Sequence, residues 1–346
     1  MMTPLENELL RQIAQTGPIT IAEYMTHCLL HPKHGYYSQA EPFGRAGDFI
    51  TSPEISQMFG ELIGLAIAQA WLDQGSPNDI FLVELGPGRG TLMADILRAT
   101  KKIAGFADAI QIALIEMSAR QKAVQRETLS DYAVRHFDRL SDVPDGPIFV
   151  VANEYFDCLP IHQFGCLNDA WHEIVINSVD GRLAFALGPQ QGWSTEGDFV
   201  ETCPAALSDM IEIDQRIAQR GGAAIIIDYG DWGSSGDTLQ AIKGHQKVSP
   251  LALPGQSDLT AHVDFKPLAG VIEHSQVSRL TPQGVFLERL GITKRAQTLS
   301  QRLSGQALDA HIAGHRRLVH PDEMGQLFKV LGITPSGTPM IAGLAI

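Results

Sequence analysis

VELGPGRGTLMADILR, residues 83–98, carries the chain out of a short apolar strand, 80–83, and into a helix. Three glycines, Gly86, Gly88 and Gly90, stand at alternate positions between them. Glycine lets a backbone pass close to a ligand, because no Cβ is in the way and positive φ costs little. The helix that follows turns free N–H groups and its positive dipole end back toward the loop. Such a cradle at the carboxyl end of a strand is the nucleotide-binding corner of a parallel α/β sheet.

A dinucleotide fingerprint is spaced G-x-G-x-x-G and places a pyrophosphate on the helix N-terminus. Here the spacing is G-x-G-x-G, and an acid, Glu84, lies two residues before the first glycine. That arrangement suits a cofactor without phosphate, whose amino-acid end offers an ammonium to Glu84 and a carboxylate to backbone N–H groups. S-adenosyl-L-methionine fits this description. The next apolar run, IQIALI at 110–115, ends in Glu116. An acid at that strand tip is placed to bind two ribose hydroxyls. Nicotinamide enzymes use the same acid, so Glu116 alone does not choose the cofactor.

With 346 residues the chain has room for one large domain or two modest ones. A formal charge of −13 disfavours nucleic acid as the main partner and permits a cationic substrate. The four cysteines, Cys28, Cys158, Cys166 and Cys203, include no C-x-x-C pair. They read as a reduced, intracellular protein without structural zinc. The opening MMTPLENELLRQIAQTG has no signal-peptide pattern and lacks the Arg/Ser-rich, acid-poor character of a transit peptide. LIGLAIAQAWL, 62–72, is about half the length that spans a bilayer. The expectation is a soluble, cytoplasmic protein of bacterial type with no membrane insertion.

Hydrophobic spacing predicts helices over 4–16 and 21–30, then an irregular segment over 31–53. Ser52-Pro53-Glu54 reads as the N-cap, first-position proline and first-turn acid of the next helix. Gly60 and Gly64, four apart on that helix, suit close packing. Strands at 80–83, 110–115, 147–152 and 223–228 alternate with helices at 91–102, 118–129 and 205–220. Alternation of this kind implies an α/β fold: a Rossmann-like, mostly parallel sheet with helices on both faces. WHEIVINSVDGRLAFAL, 171–187, reads as a β-hairpin turning at Asp180-Gly181. Residues 262–294 offer a helix and a strand, 304–332 read as helical, and GTPMIAGLAI, 337–346, as a closing strand. The expected organisation is three consecutive parts. Residues 1–75 form an N-terminal helical cap and lid. Residues 76–231 form the core, with a hairpin insertion near 163–203. Residues 232–346 complete the sheet and a substrate cleft.

The third core strand runs into VVANEYFDCLPIHQF, 150–164, so Asn153, Glu154 and Asp157 fall just past its carboxyl end. Asp228 ends the next strand in the same way. Open α/β sheets place their chemistry on this edge. His162 is a candidate proton acceptor, since imidazole relays protons near neutral pH. Asp258, His262 and Asp264 read as cap or cleft residues, and His27, His31 and His34 as turn and packing residues; no metal site is expected.

Five blocks resemble, in order, the signatures of the MidA-type methyltransferases. They are GDFITSPEISQMFGELIG (47–64), VELGPGRGTL (83–92), NEYFDCLPIHQF (153–164), RGGAAIIIDYG (220–230) and DLTAHVDF (258–265). This family is related to the mitochondrial protein arginine methyltransferase required for respiratory complex I assembly. The resemblance runs from about Ile19 to Phe328. It implies a class I methyltransferase fold that uses S-adenosyl-L-methionine. It further implies a protein substrate, an arginine of a complex I subunit, dimethylated symmetrically on its terminal nitrogens. By motif position, Glu84, Gly86, Gly88, Gly90, Glu116 and Asn153 would bind the cofactor. Phe49, Thr51, Ser52, Pro53 and Glu54 would form part of a lid over it, and Asn153 to Pro160 would be the active-site block.

Methyl transfer from a sulfonium is an in-line displacement, so positioning supplies much of the rate. A guanidinium stays protonated at neutral pH, and its planar fork suits a carboxylate. Glu154 is therefore the expected guanidinium clamp, with Asp157 and Asp228 as helpers. Two other readings compete: a nicotinamide-dependent oxidoreductase on a similar fold, and a non-catalytic assembly scaffold that keeps the methyltransferase fold.

Overall fold

The structure, a computed structural model, describes residues 2–39, 50–233 and 236–346. Two compact units form from one chain. One holds Ile50–Phe156, Ser208–Trp232 and Val263–Ile346; the other holds Asp157–Leu207, Gly233–His262 and N-terminal residues. The units are interleaved along the chain, where the sequence reading set out consecutive segments. Strand pairing, and not chain order, decides which residues pack together.

The first unit is the α/β core. Its main strands are β1 (Ile80–Leu85), β2 (Ile110–Ile115), β3 (Val134–Phe137), β4 (Ile148–Asn153), β5 (Gly222–Asp231) and β6 (Phe328–Pro335). They lie in the order β6-β5-β4-β1-β2-β3, with Ser275–Val277 beyond β6. All main pairs are parallel except β5 with β6. Every residue of β1 and β4 is buried, which is why both read as apolar runs up to Glu84 and Asn153. From β1 the chain proceeds outward through β2 and β3, then returns to lay β4 and β5 on the other side. The switch therefore falls between β1 and β4, where Leu85 lies opposite Ala152. Such a reversal opens a crevice beyond the strand ends.

Helices of this unit include α1 (Ser52–Ile55), α2 (Gln57–Asp73), α3 (Thr91–Thr100), α4 (Ala119–Thr128), α5 (Pro204–Arg220, from Ser208 onward), α6 (Ile292–Ser300) and α7 (Gly305–Val319). α2 and α3 pack closely: a Cβ on Gly60 would stand 2.6 Å from Asp95 Cβ, and one on Gly64 would stand 2.9 Å from Ile96 Cα.

Four expectations are corrected here. The helix expected to run on from Ser52 is two helices, because Ser56 is extended (φ −160, ψ 133) and caps α2 through Met58 N–H. Thr51, not Ser52, is the N-cap of α1. The closing strand is β6 and not 337–346, and the helix expected to 332 ends at Val319. The reason is compositional: FKVLGITP is apolar and β-branched enough to be buried beside β5, whereas 337–346 carries Gly337, Pro339 and Gly343. β3 was not foreseen; its four residues are only partly buried or exposed and give no apolar run.

The second unit contains the helices Pro4–Thr16 and Ile21–Leu30, an antiparallel five-stranded sheet and a three-stranded sheet. The foreseen hairpin is Ala170–Val179 with Arg182–Gln190. Asp180 and Gly181 both have positive φ (50 and 75), as a two-residue hairpin turn requires. Its core gathers Leu5, Leu9, Ile13, Tyr24, Met25 and Ile176. No helix among the described residues is long and apolar enough to cross a membrane.

Candidate active site

The glycine loop is built as its spacing implies. Gly86, Gly88 and Gly90 all have positive φ (62, 51 and 82), and Gly90 is the N-cap of α3. At Gly86 the need for glycine is also steric, since a Cβ would stand 2.9 Å from Tyr155 Cδ2. Glu84 is 3% exposed at the end of β1. Burial pushes its pKa up to about 8, against the pull of Met93 N–H from the first turn of α3. Its Oε2 is buried with no hydrogen-bond partner.

Glu116 follows β2. Its Oε1 accepts Ser118 N–H at 2.7 Å, and its Oε2 accepts Gln125 Nε2–H at 3.1 Å. Burial raises its pKa, and these donors oppose that rise. Beside it, Met117 is 61% exposed.

Asn153 ends β4 and Glu154 follows it. Asn153 Oδ1 is a second buried acceptor without a partner, while its Nδ2 donates to Glu154 Oε1 at 3.0 Å. The same Oε1 accepts Ser52 N–H at 3.0 Å. That contact exists because α1 begins at Ser52 and leaves its first N–H groups unspent. Among the described residues Glu154 Oε2 accepts no hydrogen bond, and Glu154 itself is half-buried. Loss of water raises its pKa to about 7; the Ser52 and Asn153 donors and the Arg317 charge pull the other way. Asp228 is wholly buried and accepts the N–H groups of Tyr155 (3.2 Å), Phe156 (2.9 Å) and Tyr229 (2.9 Å). It holds the turn after Glu154. Tyr155 is held again by its hydroxyl, which donates to Asp209 Oδ2 at 2.9 Å.

The expected lid residues are partly placed. Thr51 caps α1 without a side-chain hydrogen bond, Pro53 lies in the first turn, and Glu54 Oε1 accepts the Thr91 hydroxyl at the start of α3. Ser52 Oγ also reaches Gln283 Oε1 at 3.4 Å. Phe49 lies outside the described residues. Asp157 and His162 belong to the second unit. There the Asp157 carbonyl accepts Ala261 N–H at 2.8 Å, and His162 Nδ1 lies 2.7 Å from Glu173 Oε1. His31 and His34 share Glu8, and Asp264 caps the helix Phe265–Gly270. Among the described residues no three His, Cys, Asp or Glu side chains are grouped to hold a metal. Met117, Gln125 and Arg317 were not foreseen, and Tyr155 only as part of the block from Asn153 to Pro160. Only Met117 had a signal, as an apolar residue directly after the strand-end acid.

An acid-and-glycine cradle at the switch point, facing a polar turn after β4, defines a nucleoside-type cofactor enzyme. Residues 62–283 match the family model described as "Putative S-adenosyl-L-methionine-dependent methyltransferase". The chain belongs to this family of S-adenosylmethionine-dependent methyltransferases, and its fold is theirs. It is similar to the Protein arginine methyltransferase NDUFAF7, mitochondrial, of Mus musculus: 37% identical, covering 96% of this chain and 85% of that one. The Homo sapiens protein of the same name is 36% identical, covering 96% and 84%. A crystal structure from Burkholderia thailandensis bound to S-adenosyl-homocysteine is 28% identical with a TM-score of 0.85, covering 99% of this chain and 97% of that one.

These findings set aside the nicotinamide reading. They also overturn the cytoplasmic expectation, since the relatives are named as mitochondrial. A folded catalytic body needs the same water-compatible surface in either compartment, so its composition does not report the address.

The residues present fit the family's cofactor. Glu84 Oε2 and Asn153 Oδ1 are buried acceptors awaiting a donor, and the Gly86 turn has no room for a Cβ.

Proposed function

We propose that this methyltransferase acts on arginine side chains of a protein, and that the protein is a subunit of respiratory complex I. The observation that carries this reading is Glu154. One of its oxygens is saturated by Ser52 and Asn153, and among the described residues the other accepts no hydrogen bond. A carboxylate presented in this way suits a guanidinium, whose N–H fork needs an acceptor. The name of the relatives, protein arginine methyltransferase, supports the same substrate.

In this reading Glu84 and Asn153 hold the ammonium of S-adenosylmethionine, the amides of the glycine loop meet its carboxylate, and Glu116 holds the ribose. Glu54 and Ser52 belong to the cofactor's cover. When bound, the cofactor supplies the methyl carbon from a positively charged sulfonium and keeps the electron pair of the broken C–S bond. Glu154 orients the arginine so that one terminal nitrogen points along the line of transfer. Glu154 also takes the proton whose departure frees that nitrogen's electron pair. A carboxyl with a pKa near 7 can both bind the cation and accept that proton. Asp228, by fixing the turn, keeps the carboxyl in place.

The test is transfer of labelled methyl from S-adenosylmethionine to purified complex I subunits, with mass spectrometry of the product. The expected result is one subunit carrying arginine with one methyl on each terminal nitrogen. Label on lysine, or S-adenosylhomocysteine binding with no transfer to any subunit, would count against the reading; the second result would favour a scaffold.

A further inference from the structure

Gln125 lies on α4, is 0% exposed, and has every polar atom of its side chain engaged. Its Nε2 donates to the Gly88 carbonyl at 2.8 Å and to Glu116 Oε2 at 3.1 Å. Its Oε1 lies 2.9 Å from His136 Nε2, on β3. One amide thus ties the glycine loop to the acid that ends the neighbouring strand.

The direction of the amide follows from its partners. Gly88 O and a carboxylate both accept, so the nitrogen must face them and the oxygen must face His136. His136 Nε2 therefore carries the proton and donates it. Reversing the amide would set its oxygen against a carbonyl and a carboxylate, and would point two N–H groups at a donor.

We infer that Gln125 is the positioning residue of the cofactor site, and that His136 fixes it in the orientation that holds Glu116 and Gly88 in mutual register. The inference rests on the placement of the cofactor at Gly88 and Glu116 given above. The loop and the strand-end acid come from different βα units. Gln125 Nε2 joins the Gly88 carbonyl of one to the Glu116 carboxyl of the other. A site that must meet both ends of one ligand gains affinity when its two arms are spaced before the ligand arrives.

The test is calorimetric titration of S-adenosylhomocysteine into the wild type and the variants Gln125→Leu, His136→Leu, His136→Gln and Glu116→Gln. It is done well below each melting temperature, so that lost stability does not mimic lost affinity. Gln125→Leu is expected to weaken binding about tenfold, the scale of a hydrogen bond lost to a charged group. His136→Leu is expected to weaken it about threefold, and the double variant no more than Gln125→Leu alone, because both act through one amide. His136→Gln, whose Nε2 sits at the same reach as the imidazole Nε2, is expected to bind within about twofold of wild type.

A folded Gln125→Leu that binds within twofold of wild type, while Glu116→Gln is impaired, overturns the inference alone. A Glu116→Gln that binds as wild type overturns the cofactor placement and the inference with it. Should Gln125→Leu fail to fold, the two His136 variants decide: equal affinities for Leu and Gln overturn the inference.

Discussion

Glu154 has φ +53, a region that a residue other than glycine occupies only when its surroundings hold it there. Asp228 supplies the hold through the next two amides. Glu154→Gln keeps an oxygen for Ser52 N–H yet cannot take a proton. It should lower methyl transfer roughly a hundredfold while leaving S-adenosylhomocysteine affinity nearly unchanged. Calorimetry beside a transfer assay checks both halves, and a loss of affinity equal to the loss of rate would place Glu154 on the cofactor instead. Glu84 makes a prediction about pH. Its pKa is 4.5 for a free carboxyl and about 8 in the fold, so the folded chain holds a proton that the unfolded chain releases. That contribution to stability is complete below 4.5 and fades as pH rises through about 8. The ligand-free melting temperature should fall across this interval, and Glu84→Gln should flatten the fall; an unchanged slope in the variant would remove Glu84 as the cause. The acids at strand ends were legible because each terminates an apolar run. Gln125 and Asp228 were not legible in their roles, since these depend on partners 37 and 72 or 73 positions away.

At the level of elements, contact between α2 and α3 depends on two missing side chains. A Cβ on Gly64 would press at 2.9 Å on the backbone of Ile96, which cannot rotate away. Gly64→Ala should therefore destabilise the fold by about 1–3 kcal/mol, despite alanine's better helix propensity. A urea melt measures it, and a gain in stability would mean that the helices part at no cost. β1, β2, β4 and β5 were readable from their apolar runs, and the hairpin from Asp180-Gly181. The break at Ser56 was not readable, because nothing in Ser-Pro-Glu-Ile-Ser distinguishes one helix start from two. Ser52, at the start of the short helix before this break, gives its N–H to Glu154.

For the whole molecule, a charge of −13 acts on partners before contact. A cationic protein segment is drawn in and S-adenosylhomocysteine, which has no net charge, is not, and salt screens the attraction. Raising the ionic strength from about 0.05 to about 0.5 M should raise KM for the protein acceptor several-fold and leave S-adenosylhomocysteine affinity nearly level; a flat KM would mean that contact-range groups alone select the acceptor. The interleaving of the two units was hidden, because periodicity reports an element's type and not its neighbours. Its clearest instance is β6, which closes the open side of β5 although just over a hundred positions separate their facing residues, Asp228 and Lys329. During synthesis β5 leaves the ribosome long before that partner exists. The nascent chain therefore carries an uncovered, largely apolar sheet edge until about a hundred further residues have been made. Such an edge invites pairing with other chains, and that exposure is a hazard this topology places on the cell.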